Sequence, residues 1–250
     1  SFPTRRSSDL GGAPSFGGAS ASENAVYING FPVTTLLIHT ADGVHWSRES
    51  LSDIAGEIAR FIGPQAEIVE FGAGSCTKVR LLLDALQAPA RYLPIDISGE
   101  HLQAAAAGLR RDYPGLDVQP VAADYTQRLL LPARDPGAGQ RVGFFPGSTL
   151  GNFLPAEASY FLQVAAQVLR GGALLLGVDL VKDPAVLHAA YNDAQGVTAA
   201  FNLNLLARAN RELDTRFNLA QFTHHAFYNA PRQRIEMHLI SRSRQWVDVG

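Results

Sequence analysis

The chain has 250 residues, of which 46% are hydrophobic and 18% are charged, and its formal net charge is -2 at pH 7. This length and composition can bury a sizeable core, in one large domain or in one domain with a smaller companion. No stripe of Lys and Arg is available to neutralise phosphates, so the charge argues against a nucleic-acid partner. The single cysteine cannot form an internal disulfide, which indicates a reducing, cytoplasmic setting. No apolar run reaches the roughly 18 residues of a membrane-spanning helix, so we expect no membrane partner.

The first 46 residues differ from the rest of the chain. Residues 1–23 are rich in Ser, Gly and Ala and show neither strand alternation nor a helical apolar stripe. We expect this leader to be disordered or foreign to the fold. Residues 24–46 form an atypical N-terminal segment with hairpin character around Asn29-Gly30.

From residue 47 to residue 182 the pattern alternates regularly between helices and strands. Such alternation predicts a parallel, doubly wound α/β sheet that binds its ligand at the carboxyl ends of the strands. Residues 183–250 change to a helical block followed by an alternating run typical of an antiparallel hairpin, which predicts a partial α+β second domain. The predicted helices cover 47–63, 77–87, 98–113 and 155–172, the strands after the first cover 91–97, 118–123, 141–146 and 173–181, and the hairpin covers 222–241.

The most informative stretch is EIVEFGAGSCTKVR, from Glu67 to Arg80, where a short apolar strand enters a glycine-rich turn and then a helix. Because Gly72 and Gly74 lack a Cβ, the backbone can turn tightly there and approach a ligand closely. The alternative is that the two glycines only make a tight turn between strand and helix. Lys78 stands near the start of the helix, an end that prefers anions. Its charge makes sense if it binds a ligand carboxylate, and it is otherwise a solvated lysine.

Acidic residues stand at the next two strand ends. Asp96 comes roughly 20 residues after the glycines, where a carboxylate can accept hydrogen bonds from ribose hydroxyls. Asp124 and Tyr125 follow the next strand and add an acceptor and an aromatic face. Either aspartate could instead cap a helix that follows it. The third glycine of a GxGxxG motif is missing, so these features suit a nucleoside better than a dinucleotide, and we favour S-adenosylmethionine as the cofactor.

Four further residues are of types that bind substrates or metals. Asn152 lies among small residues in PGSTLGNF, and its amide can bind both an amine and a carboxylate or, alternatively, cap the helix that begins near Pro155. Tyr191, in LHAAYND, is either a substrate contact or a packed helical aromatic. His224 and His225 are adjacent on a predicted strand and point to opposite faces, so we predict no metal site there.

Six motifs between Ile68 and Trp246 carry a specific resemblance to a known family: EFGAGSCTKVRLLLDAL, YLPIDIS, FFPGSTLGNF, LLLGVDLVKDPAVLHAAYND, GVTAAFNLNLL and RIEMHLISR. In these motifs the chain resembles the L-histidine Nα-methyltransferases of ergothioneine biosynthesis, which have a Rossmann-like methyltransferase core and an added substrate domain. The resemblance implies a cofactor site and a histidine site. The cofactor residues are Gly72, Lys78, Asp96, Asp124 and Tyr125, and the histidine residues are Asn152 and Tyr191.

The resemblance also implies the reaction. An N-methyltransferase of this family moves methyl groups from S-adenosylmethionine to the neutral α-amine of L-histidine, toward the trimethylated betaine. The transfer is direct, so positioning replaces a catalytic side chain. We expect a monomer that acts on this small amino acid.

The chain departs from the resembled family at both ends. The amino-terminal tyrosine and Thr-Arg motif of the family is not found, and only His45 and Trp46 stand near the expected place. The sequence stops at QWVDVG, before the position at which the family has a Glu and Ser pair that binds the imidazole of the substrate. We therefore expect a truncated chain in which the cofactor half is intact. Two alternatives stay open: methylation of another amino acid or amine, and an inactive fragment that binds the cofactor or nothing.

Overall fold

The computed structural model describes residues 27–28, 31–32, 35–39, 51–178 and 182–248. The predictions made for residues 1–23, for Asn29-Gly30 and for His45 and Trp46 lie outside the described residues. The elements in chain order are β1 (Tyr27–Ile28), β2 (Phe31–Pro32), β3 (Thr35–His39), α1 (Leu51–Ile62), β4 (Glu67–Phe71), α2 (Val79–Ala85), β5 (Arg91–Asp96), α3 (Gly99–Asp112), β6 (Asp117–Val118), β7 (Val121–Ala122), β8 (Arg141–Phe145), α4 (Pro155–Val168), β9 (Ala173–Val178), α5 (Pro184–Tyr191), α6 (Val197–Glu212), β10 (Phe222–Asn229) and β11 (Arg234–Ser241).

The central sheet has the strand order β3-β9-β8-β4-β5-β6, and β7 also pairs with β5. The strands from β4 to β9 run parallel to their neighbours, whereas β3 runs antiparallel to β9. The order of connection reverses between β4 and β8, and open α/β sheets bind their ligands beyond the carboxyl ends of the strands at such a point. The predicted parallel sheet is confirmed, while β3 comes from the segment that the sequence left without a role.

Helices cover both faces of this sheet. The first face carries α1, α2 and α3, which share one buried cluster with Ile68, Tyr92 and Leu175. The second face carries α4, whose Phe161 packs in another cluster with Phe71 of β4. The central strand β4 is buried along its whole length, as expected for a strand covered on both faces. The doubly wound arrangement is therefore confirmed. None of the helices in the described residues combines the length and the apolar character that a membrane span requires.

The first helix shows how the sequence pattern builds the core. Ile54, Ile58 and Ile62 recur every four residues and are at most 4% exposed, so they form one apolar face against the sheet. The helix ends where Gly63 adopts a φ of 76°, and the Gly63 N–H donates to the Ala59 carbonyl at 2.9 Å. A glycine in this left-handed conformation is a common helix end, because it has no Cβ to clash.

The strand predicted over residues 118–123 is interrupted, so this prediction was wrong in part. Two short strands, β6 and β7, pair separately with β5. Pro120 lies between them and has no N–H to donate to a neighbouring strand. Gln119 keeps the chain attached, because its N–H donates to the Tyr92 carbonyl at 2.9 Å. Since the direction of the chain is unchanged, Asp124 still follows at the carboxyl edge of the sheet.

The predicted hairpin over residues 222–241 is confirmed. At the amino-terminal end, the short strands β1 and β2 pair antiparallel on either side of residues 29–30. The longer strands β10 and β11 form a two-stranded sheet of their own, paired from Phe222 and Ser241 to Asn229 and Arg234. The helices α5 and α6 pack against β10. The division of the chain near residue 182 into a cofactor core and a substrate domain stays a prediction.

Candidate functional site

The glycine-rich turn after β4 is attached to the end of β5. Gly72 and Gly74 have φ values of 75° and 53°, a left-handed region in which a side chain would be strained. The N–H of Ala73 donates to the Ile95 carbonyl at 2.9 Å, and the N–H of Gly74 donates to Oδ2 of Asp96, also at 2.9 Å. The side chain of Asp96 therefore fixes the turn to the neighbouring strand.

Asp96 lies between two loops and is 7% exposed. Its Oδ2 accepts the bond from Gly74, and its Oδ1 accepts one from the N–H of Ser98 at 3.2 Å. Ser98 stands at the N-terminal end of α3, so Asp96 supports the entry of that helix as well as the glycine turn. A carboxylate oxygen has more than one lone pair, so both atoms can still accept the hydrogen of a ligand hydroxyl.

Lys78 reaches across the point where the strand order reverses. Gly147 follows β8 with a φ of +82°, and a Cβ placed on it would lie 2.8 Å from Nζ of Lys78. Gly177 of β9 packs tightly against the same turn, because a Cβ on Gly177 would lie 2.9 Å from the backbone nitrogen of Gly147. The two missing side chains let the turn pack on β9 and leave room for the ammonium group. The ammonium thus lies between the turns that follow β4 and β8, in the crevice where such sheets bind ligands.

Asp124 and Tyr125 follow β7 at the same edge. Oδ1 of Asp124 accepts hydrogen bonds from the N–H and the hydroxyl of Thr126, at 2.8 and 2.6 Å. No helix follows in residues 127–140, so the alternative that Asp124 caps a helix is wrong. The ring of Tyr125 is half-buried and packs edge-on against three phenylalanines. Its centroid lies 6.4, 5.7 and 5.9 Å from those of Phe71, Phe145 and Phe161.

Asn152 is exposed in the loop that follows β8. It ends a short 3-10 turn over residues 149–152. The alternative role of a helix cap is wrong, because α4 begins after Leu154, whose N–H donates to Oε2 of Glu157 at 2.7 Å. The amide of Asn152 is therefore left on the surface at the carboxyl edge of the sheet, where a substrate contact was predicted.

Tyr191 is the last residue of α5 and is half-buried. Its carbonyl oxygen lies 2.7 Å from Nε2 of His224 on β10. The structure therefore brings the cofactor candidates together at one edge of the central sheet, with Asn152 in a loop of the same edge. Tyr191 instead belongs to the layer that α5 and α6 form with the β10–β11 hairpin.

The two adjacent histidines have surroundings of different kinds. His224 contacts Nδ2 of Asn202 through Nδ1 and the Tyr191 carbonyl through Nε2. His225 is exposed, and its ring lies 5.5 Å from that of Phe227. Across the part of the chain that the structure describes, no three His, Cys, Asp or Glu side chains are grouped to hold a metal ion.

A buried polar cluster beneath the glycine turn was missed by the sequence analysis. Glu70 is 3% exposed in β4, and the hydroxyl of Tyr92 donates to its Oε2. Cys76 is buried beside them at a φ of 53°. Burial, and then the charge of Glu70, raises the pKa of the Cys76 thiol to about 12 and raises the pKa of Tyr92 well above its usual value. A signal was available, because a glutamate interrupts the apolar strand EIVEF on the same face as Ile68.

Comparison with known proteins identifies the family. Residues 47–250 match the family model described as "Histidine-specific methyltransferase, SAM-dependent". The chain belongs to this family. Histidine N-alpha-methyltransferase of Mycolicibacterium smegmatis is 44% identical over 187 residues, which cover 73% of this chain and 57% of that protein. Ergothioneine biosynthesis protein 1 of Neurospora crassa is 32% identical over 218 residues, covering 80% of this chain and 25% of that protein. The 4-dimethylallyltryptophan N-methyltransferase easF of Claviceps fusiformis is 28% identical over 173 residues, covering 59% and 45%.

Membership of the histidine-specific methyltransferase family confirms the resemblance seen in the motifs and the S-adenosylmethionine cofactor. The chain spans a little over half the length of the mycobacterial relative, since 57% of that protein is covered. The roles of the individual site residues stay predictions.

Proposed function

We propose that this chain is an S-adenosylmethionine-dependent N-methyltransferase that acts on the α-amine of L-histidine, toward the trimethylated betaine of ergothioneine biosynthesis. The observation that carries the proposal is the crevice at the strand reversal, where the Lys78 ammonium and the Asp96 carboxylate flank one glycine turn. The match of residues 47–250 to a histidine-specific family supports the choice of substrate.

The side chains of the crevice fit the parts of the cofactor. Lys78 supplies a cation for its carboxylate, and Asp96 supplies acceptor oxygens for its ribose hydroxyls. Gly72 and the buried Gly74 let the backbone approach without a Cβ. Asp124, with Tyr125 beside it, places a further acceptor and an aromatic ring at the next strand end. When bound, S-adenosylmethionine supplies an electrophilic methyl group on a sulfonium.

The remaining task of the protein is to orient a neutral amine. The amide of Asn152 can accept from an amine through its oxygen and donate to a carboxylate through its nitrogen. The phenol of Tyr191 offers one further donor and acceptor. Holding the amine in one orientation lowers the entropic cost of the reaction, and this positioning is the main source of rate. Cys76 plays no covalent role, because burial raises its pKa to about 12 and keeps the thiol protonated at neutral pH.

A second candidate function is methylation of a different amine. The similarity to a fungal 4-dimethylallyltryptophan N-methyltransferase supports this function, because the name of that relative gives a substrate other than histidine. A panel of amino acids that includes tryptophan separates the two functions. Preferred turnover of histidine supports the first candidate, and preferred turnover of another amine supports the second.

The test is a calorimetric titration of the purified chain with S-adenosylhomocysteine, followed in the same cell by L-histidine. Binding of both ligands, with methylated histidine in the mass spectrum after S-adenosylmethionine is added, supports the proposal. Binding of the first ligand alone indicates another amine or an inactive cofactor-binding chain. A folded chain that binds neither ligand contradicts the proposal.

Two aspartate variants locate the cofactor. Asp96→Ala should weaken S-adenosylhomocysteine binding by at least about tenfold, because a hydrogen bond to a charged group and an anchor of the glycine turn are both lost. Asp112→Ala is the matched control, since Asp112 is half-exposed at the end of α3 and pairs with Arg80 at 2.7 Å. Its affinity should stay within about twofold of the wild-type value. Equal affinities in the two variants would remove Asp96 from the site.

A further inference from the structure

Asn202 is a polar residue of α6 that is only 4% exposed. Its Nδ2 lies 3.1 Å from the carbonyl oxygen of His238 on β11 and 3.0 Å from Nδ1 of His224 on β10. A carbonyl oxygen can only accept, so the amide atom that faces it must be the nitrogen. This contact settles which way the amide points and leaves its second N–H for His224.

The two ring nitrogens of His224 then have opposite roles. Nδ1 faces the N–H of Asn202, so it must carry a lone pair. Nε2 lies 2.7 Å from the Tyr191 carbonyl, so it must carry a hydrogen. Only the neutral Nε2–H tautomer satisfies both contacts, because a proton on Nδ1 would set two N–H groups against each other. A directed chain of hydrogen bonds thus runs from Asn202 through His224 to the Tyr191 carbonyl.

Asn192, the residue after Tyr191, anchors the same helix end. Its Oδ1 accepts from the N–H of Ala226 at 3.3 Å, and its Nδ2 donates to the Ala226 carbonyl at 3.0 Å. Ala226 stands two residues after His224 on β10. The end of α5 is therefore attached to β10 at two nearby points, through the side chain of His224 and through the backbone of Ala226.

We propose that His224, held as the neutral Nε2–H tautomer by Asn202, is a positioning residue that orients Tyr191 for the amino-acid substrate. The inference rests on the proposed function, in which the Tyr191 phenol contacts that substrate. The last carbonyls of a helix have no partner within the helix. Nε2 of His224 gives the Tyr191 carbonyl a partner on a strand, so the last turn of α5 keeps one conformation and the phenol keeps one direction.

Three variants test the role by steady-state kinetics. His224→Gln keeps an N–H donor at the reach of Nε2, whereas His224→Leu keeps the volume and removes the donor. The matched control is His225→Leu, one residue along on the opposite face. His224→Leu should raise KM for histidine about tenfold, the factor expected for loss of one hydrogen bond, while the other two variants stay within about threefold. S-adenosylhomocysteine affinity should be unchanged in all three. If His224→Leu does not fold, His224→Asn replaces it, because Asn reaches Asn202 but falls short of Tyr191.

The tautomer gives a readout that does not depend on activity. In ¹⁵N-imidazole spectra of the wild-type chain at neutral pH, the His224 signals, assigned by their loss in His224→Gln, should show a protonated Nε2 and an unprotonated Nδ1. A His224 ring that carries a hydrogen on Nδ1, or on both nitrogens, overturns the inference. If the wild-type chain methylates histidine, a KM for histidine in His224→Leu equal to the wild-type value also overturns it. If the wild-type chain does not bind histidine, the proposed function fails and the substrate role of His224 fails with it. The spectra then still decide the tautomer.

Discussion

Replacing Gly147 by alanine tests whether the Lys78 ammonium binds the carboxylate of the cofactor. Alanine is strained at the φ of +82°, and its Cβ would lie 2.8 Å from Nζ of Lys78. Because Nζ is the far end of a flexible side chain, the ammonium moves aside and the backbone stays in place. Gly171 is the matched control, since its φ is +76° and a Cβ there meets nothing within 4 Å. The two substitutions share the backbone strain and differ in the displacement of Lys78.

The size of each effect follows from this geometry. A left-handed conformation costs a residue with a Cβ about 1–2 kcal/mol, so both variants should lose about that much unfolding free energy. A hydrogen bond to a charged group contributes about 1.5–3 kcal/mol. Losing the lower value weakens binding about tenfold. Only Gly147→Ala should therefore show an affinity for S-adenosylhomocysteine that is about tenfold weaker.

Calorimetric titration with S-adenosylhomocysteine and with adenosine separates this loss from general damage to the crevice. Adenosine lacks the amino-acid carboxylate, so its affinity should stay within about twofold of the wild-type value in both variants. Urea denaturation of both variants checks the shared strain. Equal S-adenosylhomocysteine affinity in Gly147→Ala and Gly171→Ala would refute the assignment of Lys78. A matching loss of adenosine affinity in Gly147→Ala would refute the local displacement.

Three further predictions concern buried groups. Glu67 is fully buried between Arg91 and Arg141, with N–O distances of 3.1 and 2.7 Å. Glu67→Gln should therefore lower the unfolding free energy measured by urea denaturation by about 3 kcal/mol. An unchanged urea midpoint would show that the ion pairs of Glu67 with the two arginines do not stabilise the fold. In the folded chain, Cys76 should resist iodoacetamide at mildly alkaline pH, because burial raises its pKa from 9.0 to about 12. In urea the thiol should react. Rapid reaction of the folded chain would contradict the burial of Cys76. Because Cys76 and Tyr92 both have raised pKa values, the unfolded chain loses protons first as pH rises, so unfolding free energy should fall from pH 9 toward about 12. Cys76→Ala should reduce that slope.

The parallel sheet, and the edge of it that the candidate cofactor residues share, could be predicted because their signals are local. Each helix and strand has its own apolar period, and the rule that ligands bind at the carboxyl ends then places the glycine turn, Asp96 and Asp124 on one edge. Pro120 also carried a local signal, since a proline inside a predicted strand marks an interruption. The break between β6 and β7 is therefore one that the sequence itself indicates.

Contacts between distant parts of the chain could not be predicted in this way. The approach of Lys78 to Gly147 depends on the neighbouring positions of β4 and β8, which no single segment encodes. The pairing of Thr35–His39 with β9 likewise depends on a strand far along the chain. Whether Asn152 capped a helix depended on the exact start of α4, and helix ends are the least certain part of a sequence pattern.

Two buried polar supports lie behind the two parts of the candidate site. Glu70 and Tyr92 lie beneath the glycine turn, and Asn202 and His224 lie behind Tyr191. A buried polar group destabilises a core unless it is hydrogen-bonded, whereas an apolar residue of the same shape has no such desolvation cost. A hydrogen bond depends on direction, so it is satisfied in one arrangement of the neighbouring backbone. Apolar contacts are satisfied in several arrangements. Both supports stand behind a backbone segment that we predict to bind a ligand and to need one arrangement. This prediction accounts for polar residues at positions that packing alone would fill with leucine.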